Sequence, residues 1–122
     1  MAITHGSAIR DVLCNAVVDA LDTGGAGTLE FQTSGNVEVA TLTFSATAFG
    51  AASSGTATAN SITSDTSATG GTVAKFVAKS GAGTTIFSGA VSTSGSDINL
   101  SSLAIGVGDT VSISSLTYSA PA

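Results

Sequence analysis

Charge is what this sequence has least of. Only 9% of its residues are Asp, Glu, Lys or Arg, where about 25% is ordinary. Three of them, Arg10, Lys75 and Lys79, are basic, and the formal net charge is −5. Gripping a phosphate backbone means neutralising several phosphates and releasing their counterions. Three scattered cations in an acidic chain argue against nucleic acid as a partner, and against an anionic membrane surface.

Histidine and cysteine are just as scarce, with His5 and Cys14 the only examples. One thiol cannot close an internal disulfide, so the fold does not depend on oxidation. One Cys and one His cannot assemble a zinc centre. His5 lies in a polar lead with no partner in sequence to hold it, and a general base must be held in place. Without a placed histidine there is no Ser–His–Asp set, and no Gly-x-Ser-x-Gly elbow occurs. The stretch Asp97-Ile98-Asn99 matches the opening of a calcium loop but lacks the glycine and distal Glu that complete one. Asp97 and Asp109 are more simply turn residues that bond their own backbone. Gly25-Ala26-Gly27, Gly81-Ala82-Gly83 and Gly106-Val107-Gly108 each lack a third glycine and a following helix, so they read as turns rather than phosphate cradles. These absences predict no enzyme, no cofactor and no metal. The lead from Ala2 to Gly6 has neither the cationic start nor the apolar stretch of a secretory signal. No apolar run reaches membrane-spanning length. Both predict synthesis and folding in a cytoplasm.

What fills the chain instead is small. There are 20 Ala, 15 Gly, 19 Ser and 18 Thr among 122 residues, with no Trp and one Tyr. Disorder of the usual kind combines low hydrophobicity with high net charge, whereas mean hydropathy here is +0.47 and 43% of residues are hydrophobic. A folded chain with a hydroxyl-coated surface is predicted. Such a surface loses little rotamer entropy when covered, so it suits permanent contacts.

Two periodicities divide the chain. Ile9, Val12, Leu13, Ala16, Val17, Ala20 and Leu21 fall at i, i+3, i+4, i+7, i+8, i+11 and i+12. That is one apolar stripe of a helix, with Ser7 as N-cap and Gly24-Gly25 as the stop. The stripe predicts docking on the sheet that follows. Cys14 and Val18 then project away from it, on the side of Asp11 and Asp22. They are either incidental exposed apolar residues or a second contact face toward a neighbouring subunit. Cys14 and Val18 are the proposed interface residues.

After Gly27 the period becomes two. Leu29 and Phe31 share one face of Thr28 to Gln32, and Ala40, Leu42 and Phe44 share one face of Val39 to Phe44. Ala74, Phe76 and Ala78 oppose Lys75, Val77 and Lys79, the lysines reading as protection of an edge strand. Thr84 to Ser88 carries Ile86 with Phe87 opposite. Asp109 to Tyr118 forms a last strand whose phase slips at Ser114-Ser115, as at a β-bulge. Weaker strands fall at Thr56 to Ile62 and Ala90 to Ser92, and 46–71 mixes strand and long loop. Lys79 to Thr84 is a hairpin loop. The fold class is mainly β: an antiparallel β-sandwich or barrel of about six to eight short strands with one N-terminal amphipathic helix. The helix region is 1–25 and the sheet domain 26–122, in one folding unit.

Several segments carry a resemblance. Ala40-Thr41-Leu42-Thr43-Phe44, Ala48-Phe49-Gly50-Ala51-Ala52, Thr58 to Thr66, Ile86-Phe87-Ser88-Gly89, Gly95 to Leu100 and Gly108 to Tyr118 follow an Ala/Val-rich opening helix. Together they resemble small β-rich virion structural proteins of tailed bacteriophages. The resemblance implies a capsid decoration or cement protein, a homo-oligomer such as a trimer, seated where capsomers meet and contacting the major capsid protein. It implies residence in the virion after synthesis in the host cytoplasm. A tail, baseplate or fibre component is the alternative within that class. Outside it stands a carbohydrate-binding or adhesive β-sandwich, for which exposed aromatics are few. The chain departs from the pattern in having no recognisable anchor peptide for a capsid.

Overall fold

Alternation builds the sheet. In a computed structural model, which describes residues 4–94, 98–100, 102–113 and 116–119, one helix precedes ten short strands. They are α1 (Ser7–Ala20), β1 (Thr28–Gln32), β2 (Glu38–Phe44), β3 (Thr56–Thr58), β4 (Ile62–Thr63), β5 (Gly71–Thr72), β6 (Lys75–Lys79), β7 (Thr85–Ser92), β8 (Ile98–Asn99), β9 (Ala104–Ile105) and β10 (Thr117–Ser119). The main sheet runs β4-β2-β1-β6-β7-β8. Its first five strands are antiparallel and β8 joins β7 in parallel. Two ribbons, β10-β3 and β5-β9, complete the β structure. The chain is thus mainly β with one N-terminal helix, and its sheets are open rather than closed into a barrel.

Register places the apolar residues in rows across the strands. Leu42, Leu29, Ala78 and Phe87 lie side by side, and so do Ala40, Phe31, Phe76 and Gly89. Leu29, Phe31, Ala40, Leu42 and Ala78 are fully buried. Just beyond the second row β2 gains one residue: Phe31 faces Ala40 while Gln32 faces Glu38. The extra residue, Val39, is buried as well, and its carbonyl accepts the Thr69 and Gly70 N–H groups. The bulge therefore anchors the loop that leads back to β5.

The second layer is thin. The helix rests on β3 and β10 rather than on the broad sheet. Two aromatic contacts tie this layer to the sheet. Phe87 of β7 meets Tyr118 of β10 with ring centroids 5.1 Å apart, and Phe44 of β2 meets Phe49 at 5.8 Å. Such pairs add roughly 0.5–1.5 kcal/mol beyond the area they bury. In the segment 46–71, β3, β4 and isolated bridges at Phe49–Ala59, Ser53–Thr56 and Asp65–Val111 alternate with loop.

Several local expectations change. Lys75 and Lys79 do not guard an edge, because β6 lies between β1 and β7. Their outward face is polar: Lys79 Nζ pairs with Glu30 at 2.6 Å, and Lys75 donates to the side-chain oxygen of Asn36. Phe87 lies opposite Ala78 and meets the Phe76 and Tyr118 rings, while Ile86 is packed against the core as well. The stretch from Asp109 to Tyr118 is not one strand. Val111 makes a bridge with Asp65, and pairing resumes only at β10. The slip at Ser114-Ser115 and the calcium-loop residue Asp97 lie outside the described residues. The N-cap is Gly6, and the Ser7 hydroxyl makes no capping bond.

Glycine decides how the helix exit meets the β6–β7 turn. A Cβ on Gly27 would lie 2.6 Å from the Lys79 carbonyl oxygen and 2.8 Å from that of Leu21. One on Gly81 would lie 2.6 Å from the Gly25 carbonyl. The two turns stack backbone on backbone, and Ala82 N donates to Thr23 O at 3.1 Å. Gly27→Ala should therefore cost about 1–3 kcal/mol by overpacking, measured by urea unfolding. Phe76→Ala should cost about 3–5 kcal/mol as a core truncation. A negligible loss for Phe76→Ala would reject the strand phase.

Candidate functional site

The helix is turned by half a revolution from its hydrophobic stripe. Cys14 and Val18 are 0% and 1% exposed and Leu21 is fully buried, whereas Ile9, Val12 and Leu13 are 53%, 62% and 37% exposed. Ala16 is exposed too. Cys14 and Val18 are therefore core residues of the folded chain and not an exposed interface. The first part of the stripe expected to dock, Ile9 to Ala16, faces solvent instead, while Val17 and Ala20 are half-buried and only Leu21 of the stripe is fully buried.

Hydrogen bonding explains the inversion. The segment 48–55 passes the helix without a strand partner for its N–H groups at 48, 52 and 55. The helix supplies acceptors for them at matching spacing. Asp22 Oδ1 accepts the Ala48 N–H at 2.8 Å, Asn15 Oδ1 accepts that of Ala52 at 2.9 Å, and Asp11 Oδ1 accepts that of Gly55 at 2.6 Å. Asp11 and Asn15 share one helix face and Asp22 lies in the turn just past the helix end, so helix and segment run antiparallel along this ladder. Hydrogen bonds to charged groups contribute about 1.5–3 kcal/mol each, and orphaning a buried N–H costs about 1–3 kcal/mol. Burying the Ile9 stripe would forfeit all three bonds. Cys14, Val18 and Leu21 supply enough apolar surface on the polar side to seal the contact. The Cys14 thiol also donates to the Tyr118 carbonyl at 3.4 Å.

Four of the other acids are occupied in similar ways. Asp65 accepts the Thr41 and Ser67 N–H groups, each at 2.8 Å, and thereby pins the 64–68 turn to the edge of β2. Asp109 accepts the Gly106 N–H at 2.7 Å. Glu38 accepts the Thr41 and Thr69 hydroxyls at 2.9 and 2.6 Å, and Glu30 pairs with Lys79. These carboxylates act as caps and braces for irregular backbone. His5 is exposed ahead of the helix. Among the described residues no group of three His, Cys, Asp or Glu side chains stands together as metal ligands.

A cavity lined by described residues could receive another molecule. It has a volume of about 360 Å³ and opens between β7 and β10. Phe76, Phe87, Leu116 and Tyr118 line it with the neutral residues Ser88, Thr117 and Ser119. Phe76 meets Phe87 edge to face at 6.2 Å, so three aromatic rings form one wall. Among the described residues no charged one lines it, and hydroxyl-bearing side chains stand beside the rings, which fits a neutral guest. Sequence reasoning missed this site because Phe76, Phe87 and Tyr118 are brought together only by the tertiary fold.

No family model, curated protein or solved structure matches the chain. The site therefore has to be read from its own chemistry.

The ladder makes a stability prediction opposite to the hydrophobic stripe. Asn15→Ala should destabilise by about 1–3 kcal/mol, through the orphaned Ala52 N–H, while Val12→Ala at an exposed position should stay within about 0.5 kcal/mol. Urea denaturation of the two variants measures both. A larger loss for Val12→Ala would mean that the stripe is the docked face.

Proposed function

We propose that this protein is a non-catalytic structural subunit that works by being covered by other copies of itself and by a larger assembly. The observation that carries the proposal is the apolar helix face of Ile9, Val12, Leu13 and Ala16, left in solvent while the opposite face is locked by hydrogen bonds. Single exposed apolar side chains are ordinary; these are contiguous, in a patch on the order of 300 Å², the size of the largest and often functional patch on a typical monomer. The surface around it supports the same reading, because Ser, Thr and Ala side chains lose little entropy on burial. Most of the described acids are committed to backbone N–H groups, hydroxyls and one ion pair.

The setting proposed for this assembly is the virion of a tailed bacteriophage, with the chain as a capsid decoration or cement protein. That part rests on the resemblance of its segments to such proteins. In this role the exposed helix faces are buried across capsid joints, so that expansion of the shell has to break additional contacts. Few charges are available at such joints, and the association should weaken only slightly as salt screens them.

Val12→Asp should abolish or sharply reduce association and particle incorporation while leaving the β-type circular dichroism intact. Light scattering on the purified protein, and electron microscopy of native particles bearing a tagged copy, measure the two effects. Many copies on heads are expected. A protein that stays monomeric and absent from particles contradicts the proposal, and a few copies confined to the tail would move it to the tail, baseplate or fibre.

A further inference from the structure

The cavity between β7 and β10 is bordered by strand edges, and that sets the chemistry of its guest. Thr117, Tyr118 and Ser119 are consecutive and all line it, as do Phe87 and Ser88. Successive side chains of a strand point to opposite faces, so the cavity runs along the edges of both strands and meets their backbone. The hydrogen-bond pattern tells which groups it meets. Val91 N donates to Ala74 O at 3.2 Å, and Phe76 faces Gly89 in the same register. Bonded and non-bonded pairs alternate along an antiparallel ladder, so Val77 and Ser88 form a non-bonded pair and the Ser88 N–H and C=O turn away from β6. Ala59 N donates to Leu116 O at 2.8 Å, and Tyr118 faces Ala57. By the same alternation the N–H and C=O groups of Thr117 and Ser119 turn away from β3. Among the described residues no strand pairs with β10 on that side, and β8 covers β7 only at Val91 and Ser92.

Backbone donors and acceptors thus stand beside aromatic rings. Phe76 and Leu116 are buried, Phe87 and Tyr118 are half-buried, and Ser88, Thr117 and Ser119 are exposed, so the cavity grades from an apolar base to a polar rim. We propose that it binds one ring of a neutral sugar, with the C–H face of the sugar on Phe87 and Tyr118 and its hydroxyls on the strand edges. A hydroxyl both donates and accepts, and an unpaired edge supplies both partners. An anion or a cation would need a countercharge, and no charged residue stands among the described lining. A volume of about 360 Å³ is at the small end of ligand sites, which run from about 300 to 1,000 Å³, so it suits a single ring. A flat aromatic guest sandwiched between Phe87 and Tyr118 is excluded, because at 5.1 Å the two rings already touch. An extended peptide added to the edge pairs with a run of alternate residues. Here β7 offers Ser88 before β8 takes over, and β10 is three residues long. Self-association through the helix stripe neither requires nor forbids this site, so its failure leaves the proposed function standing.

The chain carries its own reporter. Tyr118 is the only tyrosine and there is no Trp, so intrinsic fluorescence reads this one ring. Dilute native protein is titrated with the methyl glycosides of glucose, galactose, mannose and N-acetylglucosamine. At least one should change the fluorescence saturably, with a Kd on the order of 1 mM, as about a dozen heavy atoms allow. Saturation-transfer NMR should place the closest contact on the ring C–H protons of the sugar. Sorbitol, which has the hydroxyls without the ring, should not bind over the same range. Phe87→Leu and Tyr118→Leu keep an apolar side chain and remove a ring. Each should weaken binding about three- to tenfold, read by NMR, with the circular dichroism unchanged. The inference fails if no glycoside gives a saturable change up to roughly fifty times the expected constant. It fails equally if sorbitol binds as well as the glycosides, or if the folded Leu variants bind like the native chain. If toluene or a blocked dipeptide, followed by NMR, binds where no glycoside does, the class of guest is wrong. Should either variant unfold, the native titration and the sorbitol comparison decide the matter by themselves.

Discussion

Three hydrogen bonds decide which way this protein faces. The acceptors on Asp11, Asn15 and Asp22 meet the N–H groups of Gly55, Ala52 and Ala48, and in doing so fix the rotation of the N-terminal helix. Hydrophobic burial alone favours the opposite rotation, with Ile9, Val12, Leu13 and Ala16 inward. It loses because the second layer is made of irregular chain. A broad apolar floor would take the stripe, but the segment 48–55 offers backbone donors that need partners and cannot find them in a strand ladder. The polar side of the helix satisfies them, and the apolar side is left over.

That residue of the competition is also what makes a function legible. A helix that buries its stripe completes a monomer, whereas one that exposes it leaves the monomer with surface still to be removed from water. The composition points the same way. With few Lys and Glu side chains to hold water at the surface, covering the molecule displaces little that is strongly hydrated. The carboxylates that remain are bound to loops and turns, so the chain spends its charge on its own architecture.

Much of the sheet was readable from the linear pattern. Leu29 and Phe31, then Ala40, Leu42 and Phe44, then Phe76 and Ala78, alternate and are buried together because period-two placement fixes the face of each strand. The loop from Lys79 to Thr84 was marked by its glycines and closes as a hairpin, with Ser80 N on Thr84 O at 2.8 Å. The failures have a common cause, which is that strand order and long-range polar contacts leave no local trace. Nothing near Lys75 shows that β7 will cover its strand. Nothing in Asp11-x-x-x-Asn15 shows that backbone donors 37 and 44 residues further on will seek it. The apolar stripe was detected correctly and its destination was not. One signal was available: Asp11 and Asn15 on a single helix face with Asp22 just past its end, in a chain this poor in charge, are more acceptors than solubility requires.

The single thiol offers the most direct test of the helix orientation. Cys14 is the only cysteine and is fully buried beneath the helix, against the Tyr118 carbonyl. In dilute, monomeric, native protein it should resist a small thiol reagent until denaturant unfolds the chain, and its labelling should then follow the unfolding transition. Rapid and complete labelling under native conditions would place Cys14 on the surface, return the Ile9 stripe to the core, and contradict this account at its base.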